Sequence, residues 1–117
     1  MIAATLSAAT QAKLWYWQRI SAMVLALCVL VHLAVMIYAV RGGLSAAEIL
    51  GRTHGSWTFG AFYTVFVLAC TVHVPIGFAR IGEEWLGLKA GGAWLIAKAL
   101  GLAILVMGLR AVYGVVA

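Results

Sequence analysis

Hydrophobic and polar positions divide the chain into three long apolar runs separated by short polar breaks. The first run extends from about Ile20 to Val40 and is stopped by Arg41-Gly42-Gly43. The second extends from about Trp57 to Arg80 and carries the only proline, Pro75. The third begins near Ala93 and continues to Arg110 or slightly beyond, to about residue 112. Each is close to the ~20 residues that a helix needs to cross the hydrocarbon core of a bilayer. None alternates with a period of two, and only helices or closed barrels satisfy their backbone groups in lipid. The pattern therefore predicts an all-α integral membrane protein with one domain and three transmembrane helices, spanning about 20–40, 57–80 and 93–112.

The breaks carry their own signals. Residues 1–12 are small and weakly polar and read as a partly ordered tail. Lys13-Leu14-Trp15-Tyr16-Trp17-Gln18-Arg19 then sets aromatic rings and cations where lipid headgroups lie. Ser45-Ala46-Ala47-Glu48 has the spacing of a capping box, in which each side chain satisfies the other's backbone N–H. It predicts a short surface helix to about Leu50, followed by a polar turn through Arg52, Thr53, His54 and Gly55. Arg80, Glu83, Glu84 and Lys89 make the second loop. Pro75 removes one helix hydrogen bond, so a bend is expected near it. In the third run Gly101 and Gly108 lie seven apart on one face with Ala97 beside them, a small-residue packing stripe. Trp15, Trp17, Trp57, Trp85 and Trp94 all fall at predicted helix ends, as interfacial anchors do.

Composition supports the membrane reading. The chain is 66% hydrophobic and 9% charged, with mean hydropathy +1.09, whereas a soluble domain has roughly a quarter of its residues charged. Eight Lys or Arg stand against three acidic residues, giving a net charge of +5. In a soluble protein that balance would hint at nucleic acid. Here the cations flank apolar runs, so they serve topology and anionic lipid headgroups, and no nucleic-acid partner is expected. Lys13, Arg19, Arg80 and Lys89, with Lys98 within reach, lie on one side; Arg41, Arg52 and Arg110 lie on the other. That asymmetry favours a cytoplasmic N-terminus and an outer C-terminus. The first run is too long for a signal-peptide core and no small-residue cleavage site follows it, so no removed targeting segment is expected. Cys28 and Cys70 fall inside apolar runs and read as small packing residues.

Ionisable groups inside spans are costly and mark function more often than they do in soluble cores. Two histidines qualify, His32 and His73, while His54 falls in the outer loop. Cys70, Gly77 and Arg80 lie at −3, +4 and +7 from His73 and share its face. A flat macrocycle bound through a histidine nitrogen needs space beside it, which Gly77 provides, and Arg80 is placed to pair with a haem propionate. The competing reading is a histidine bonded to a carbonyl of a neighbouring helix. His32 shares a face with Ser21, Leu25 and Cys28, and for it ligand and structural roles are equally open. At ~1.5 Å per residue His32 lies ~18 Å below the cytoplasmic start of the first span, and His73 ~9 Å from the cytoplasmic end of the second. The two histidines are therefore poorly placed to grip one iron. Either each serves a separate haem with a histidine from a partner, or only one is a ligand. Arg19 and Ser21 have the donors for a quinone carbonyl or a propionate, with a snorkelling arginine beside an ordinary serine as the plainer alternative. Lys98 and Arg110 read as snorkelling residues, and Glu83-Glu84 as a solvated loop or a contact with a peripheral partner. The sequence has no glycine-rich nucleotide loop, no cysteine cluster for iron–sulfur and no triad, so the chemistry is electron or quinone chemistry, or belongs to a partner.

Arg19-Ile20-Ser21 at the start of the first span and His73-x-x-x-Gly77-x-x-Arg80 late in the second, on a three-helix layout, resemble the small cytochrome b membrane-anchor subunit of succinate dehydrogenase (succinate:quinone reductase). The likeness covers about residues 15–117. That family usually opens its first helix with His-Arg-x-Ser/Thr-Gly, where this chain has Gln18-Arg19-Ile20-Ser21-Ala22. The resemblance implies that His73 is an axial ligand of haem b, that Arg19 and Ser21 lie by the quinone pocket and a propionate, and that Arg80 also lies near the propionates. His32 has no counterpart in single-haem members but resembles the first-helix ligand of di-haem anchors. The implied assembly is a flavoprotein that oxidises succinate, an iron–sulfur subunit that relays electrons, and an anchor pair that reduces quinone in the bacterial inner membrane. Three helices are too few to enclose a haem, so a second small membrane-anchor subunit is expected and the chain would be part of a heteromeric helical bundle. The same fold serves fumarate reductases, some of them haem-free. A non-redox scaffold or small transporter is the reading from another class, and Glu48, Glu83 and Glu84 all fall outside the spans, which argues against a proton-coupled pump.

Overall fold

A computed structural model describes residues 6–117 as four helices: α1 (Ala8–Gly42), α2 (Ala46–Thr53), α3 (Trp57–Leu86) and α4 (Ala90–Val116). No strand occurs among the described residues. Three of the helices, α1, α3 and α4, are long and apolar enough to cross a membrane. This is an all-α, multi-pass membrane fold. Large side chains such as Trp57, Leu95, Leu102 and Met107 stand exposed, as expected where lipid rather than water is the solvent.

Every long helix outruns the apolar run that announced it. α1 starts at Ala8, because Ser7 caps it by accepting the Thr10 N–H at 3.2 Å and no glycine or proline interrupts the next turns. The expected tail over residues 1–12 is therefore helical from Ala8 onward, and residues 1–5 lie outside the described region. At 1.5 Å per residue, 35 residues make a rod of about 52 Å, which matches the 51 Å long axis of the molecule and exceeds a ~30 Å hydrocarbon core. α3 likewise continues past Arg80, so Arg80, Glu83 and Glu84 are helical and the second loop shrinks to Gly87–Lys89. Gly87, left-handed at φ 66°, is what ends it. Polar residues mark where a helix leaves lipid, and leaving lipid does not require leaving the helix.

The segment between α1 and α3 is tied to both of the helix ends beside it. Ser45 Oγ accepts the Glu48 N–H at 3.1 Å, half of the expected capping box, while the Glu48 carboxylate takes the Ser45 hydroxyl at 2.6 Å rather than the Ser45 N–H. α2 extends beyond Leu50 to Thr53, so Arg52 and Thr53 belong to the helix and not to a turn. The Thr53 hydroxyl meets the Ile49 and Val115 carbonyls at 3.1 and 2.7 Å, and the Gly55 N–H donates to the Val116 carbonyl at 2.6 Å. These bonds serve carbonyls that the end of α4 leaves open. Arg52 Nη2 donates to the Gly43 carbonyl at 2.7 Å, closing the end of α1 in the same way.

α3 is the central rod, with α1 and α4 packed on it. The α3–α4 contact is close because α4 presents small residues, as its sequence predicts. Ala93 and Ala97 are fully buried and Gly101 is buried. A Cβ at Gly101 would lie 2.8 Å from Pro75 Cγ, and one at Gly108 would lie 2.6 Å from Val67 Cγ1. The α1–α3 contact is built differently. The more sheltered positions on α1 include Gln11, Leu14, Gln18, Ser21, Leu25, Cys28, His32, Val35 and Ala39, recurring every three and four residues. That 3.5-residue stripe is the seam of a left-handed helix pair, and more than half of it is polar or sulfur-bearing.

Candidate functional site in the seam between α1 and α3

The seam holds the two intramembrane histidines at two levels. At the first level, His73 of α3 faces Ser21 of α1, with Nδ1 3.4 Å from Ser21 Oγ. Ser21 is 5% exposed and its hydroxyl donates to the Gln18 carbonyl at 3.1 Å. One turn along α3, Gly77 lets the Gln18 amide lie against the helix: a Cβ there would sit 3.2 Å from Gln18 Nε2. The space expected at Gly77 is thus real, and in this chain Gln18 leans into it. Gln18 Oε1 is buried without a hydrogen-bond partner, an acceptor left over at the edge of the seam.

At the second level, His32 of α1 places Nδ1 3.0 Å from the Tyr63 hydroxyl. Its ring stands edge-on to Tyr63 and Phe66, with centroids 5.6 and 5.7 Å away. Phe59 and Phe62 extend the aromatic cluster along α3. From Ser21 to His32 is eleven residues and from Tyr63 to His73 is ten, so the levels lie about 15 Å apart by either helix. That exceeds the separation of ~9 Å implied by placing the histidines within their own spans, because the register sets His73 opposite the very start of the first apolar run. One iron cannot be shared between them.

Both Nε2 atoms lack a hydrogen-bond partner among the described residues, and neither is enclosed. Each imidazole is therefore held by one nitrogen and open at the other, as a metal-bound histidine is when its far nitrogen is tied to an outer partner. Among the described residues no three His, Cys, Asp or Glu side chains converge, so a bare metal ion has no cage here, whereas a haem iron asks the protein only for axial donors. The donor set fits that group.

The other expected residues divide. Arg80 shares the face of His73 and Gly77 on α3 and is half-buried. Arg19 is exposed, about 200° around α1 from Ser21, and its guanidinium lies over the Trp15 ring at 5.1 Å. It is not brought to the seam, and its stacking on an exposed aromatic ring fits the plainer reading of a snorkelling cation. Cys28 and Cys70 are free thiols. His54 is exposed at the C-terminal cap of α2.

No family model, curated protein or solved structure matches the chain. The geometry of the seam therefore stands on its own.

Two residues of the seam escaped the sequence reading. Tyr63 was reachable: continuing the stripe Arg80, Gly77, His73, Cys70 by the same steps of three and four leads to Phe66 and Tyr63. Gln18 was visible only as a departure from a family motif, since nothing in the sequence says that its amide crosses to Gly77.

Proposed function

We propose that the chain is the membrane-anchor, haem b- and quinone-binding subunit of a succinate:quinone oxidoreductase, passing electrons from an iron–sulfur subunit to quinone. The observation that carries this reading is the His73 imidazole, tethered at Nδ1 by Ser21 and open at Nε2, with the half-buried Arg80 two turns further along the same face of α3. His73 would give Nε2 to the iron, Arg80 would face a propionate, and the second axial ligand would come from a second small membrane-anchor subunit. Bound haem b would supply one-electron exchange between the iron–sulfur donor and quinone. The orphaned Gln18 Oε1 supports a nearby ligand that donates, such as a quinol hydroxyl. Ser21 and Arg19 face different ways, so Ser21 serves His73, and any quinone contact of Arg19 belongs to the headgroup side of α1. The flavoprotein and iron–sulfur subunits would dock at the cytoplasmic rim of a bacterial inner membrane, with the N-terminus cytoplasmic and anionic lipid around the cations. The chain would not oxidise succinate by itself.

The second level supports a variant of the same reading. His32, open at Nε2 and about 15 Å from His73, suits a second haem, as in di-haem anchors of fumarate reductases. A dithionite-reduced minus oxidised spectrum of the purified assembly, with haem counted per complex, tests both. A b-type band that disappears in His73→Ala is expected, together with succinate–quinone activity in the assembly. A second haem that disappears only in His32→Ala would favour the di-haem variant. No b-type band at all would remove haem ligation and leave a haem-free anchor or a non-redox scaffold.

A further inference from the structure

Ser21 does more than touch His73. A serine hydroxyl has one proton, and here it points at the Gln18 carbonyl, which can only accept. With that proton committed, Ser21 Oγ faces the imidazole as an acceptor, so Nδ1 must carry the ring hydrogen. A neutral imidazole has a single N–H, and Nε2 is left with a bare lone pair. The reverse arrangement, Ser21 donating to Nδ1, would put the hydrogen on Nε2, where no acceptor exists among the described residues. That arrangement would also take the Ser21 proton away from the Gln18 carbonyl, making one hydrogen bond where the first makes two, so the first arrangement wins.

We infer that the relay from the Gln18 carbonyl through Ser21 fixes His73 as the Nδ1–H tautomer before any cofactor arrives, which makes Ser21 a positioning residue for an iron ligand. The tautomer follows from the chain alone, while its use in iron ligation rests on the function proposed above. His32 is the internal contrast. The Tyr63 hydroxyl has no second acceptor among the described residues, so its proton is uncommitted and the His32–Tyr63 pair is free to take either sense.

The test uses the full chain, produced without haem, labelled with 15N-histidine and reconstituted in lipid bilayers. Nitrogen chemical shifts separate protonated from unprotonated ring nitrogens. The expected spectrum shows His73 protonated at Nδ1 and bare at Nε2. Ser21→Ala mixes or inverts the two forms, and Ser21→Thr, which keeps the hydroxyl, restores the original pattern. Unshifted His32 signals in the same sample show that the fold is retained. A wild-type His73 protonated mainly at Nε2 overturns the inference, as does a Ser21→Ala spectrum identical to wild type in an intact fold. In the assembled complex, Ser21→Ala is expected to weaken haem binding by about 10–100-fold, the usual effect of losing an outer partner of a metal ligand, and to move the haem potential upward. A complex without haem, whose free chain still shows the Nδ1–H form, refutes the haem reading and supports the tautomer.

Discussion

The methyl group missing from Gly101 is the most consequential absence in the bundle. A Cβ there would lie 2.8 Å from Pro75 Cγ and 3.7 Å from the Thr71 carbonyl oxygen. The second distance is ordinary contact, but the first is a clash, and Pro75 Cγ belongs to a closed ring that cannot swing aside. Replacing a helical glycine with alanine ordinarily stabilises by about 0.5–1 kcal/mol. Overpacking costs about 1–3 kcal/mol, and a rigid obstacle puts this site in the upper half of that range. Gly101→Ala should therefore destabilise the chain by about 1–2.5 kcal/mol. Gly114 has nothing within 4 Å of its would-be Cβ, so Gly114→Ala should be neutral or stabilise by up to about 0.5 kcal/mol. The assay is unfolding of the purified chain in mixed micelles by increasing sodium dodecyl sulfate, followed by helical circular dichroism. Equal effects of the two substitutions would refute the claim that α4 is seated on Pro75. The consequence reaches the seam, because Pro75 is two residues from His73: a displaced α3 should also lower haem retention in the assembled complex.

Further expectations follow from the two levels and from α2. Tyr63→Phe and His32→Phe, singly and together, form a double-mutant cycle whose coupling should lie between about 0.6 kcal/mol, the average for side-chain hydrogen bonds in membranes, and the maximum of about 1.7 kcal/mol; unfolding titrations that give additive effects would contradict the 3.0 Å contact. Gly77→Leu forces the Gln18 amide out of its seat, and a haem band unchanged in position and amount would show that this corner lies away from the cofactor. Ser45→Ala removes the cap of α2 and should cost about 1 kcal/mol, while the reduced haem spectrum stays as in wild type because the cap lies at the far end of the bundle.

Much of the fold was legible because lipid imposes few solutions. Three apolar runs of spanning length, tryptophans at their ends and a small-residue stripe on the third run were enough to give three packed membrane helices; of that stripe Ala97 and Gly101 are buried and Gly108 is half-buried, and Ala93, outside it, is buried too. The helix ends were misjudged for one reason. Hydropathy reports the thickness of the membrane, whereas helix length is set by caps and breakers. Ser7 and Gly87 decide where α1 begins and α3 ends, and neither interrupts an apolar run.

The site was legible one helix at a time and no further. Position alone singled out His32 and His73, and the face of α3 carrying His73, Gly77 and Arg80 followed from counting by threes and fours. What a single sequence does not contain is the register between two helices, since sliding α1 past α3 by one turn leaves every heptad intact while changing each cross-seam partner. Register is what puts Ser21 on His73 and Tyr63 on His32, carries Gln18 to Gly77 and leaves Arg19 outside. It also widens the gap between the histidines from ~9 Å to about 15 Å. On the haem reading proposed above, the smaller spacing would crowd both imidazoles against the edge of one macrocycle, whereas the larger spacing would let each hold its own. The seam is thus two sites built by one rule, a histidine anchored at Nδ1 by a hydroxyl from the facing helix and open at Nε2. They differ in where the hydroxyl proton is spent: Ser21 gives its proton to a backbone carbonyl, and Tyr63 keeps its own available to His32. If both levels bind haem, the His73 iron should be held by the nitrogen that the fold has already bared, while at His32 only the sense in which Nδ1–H donates to Tyr63 leaves Nε2 ready. Haem should then load at His73 first, and stepwise reconstitution of the assembly with substoichiometric haem would show the order directly.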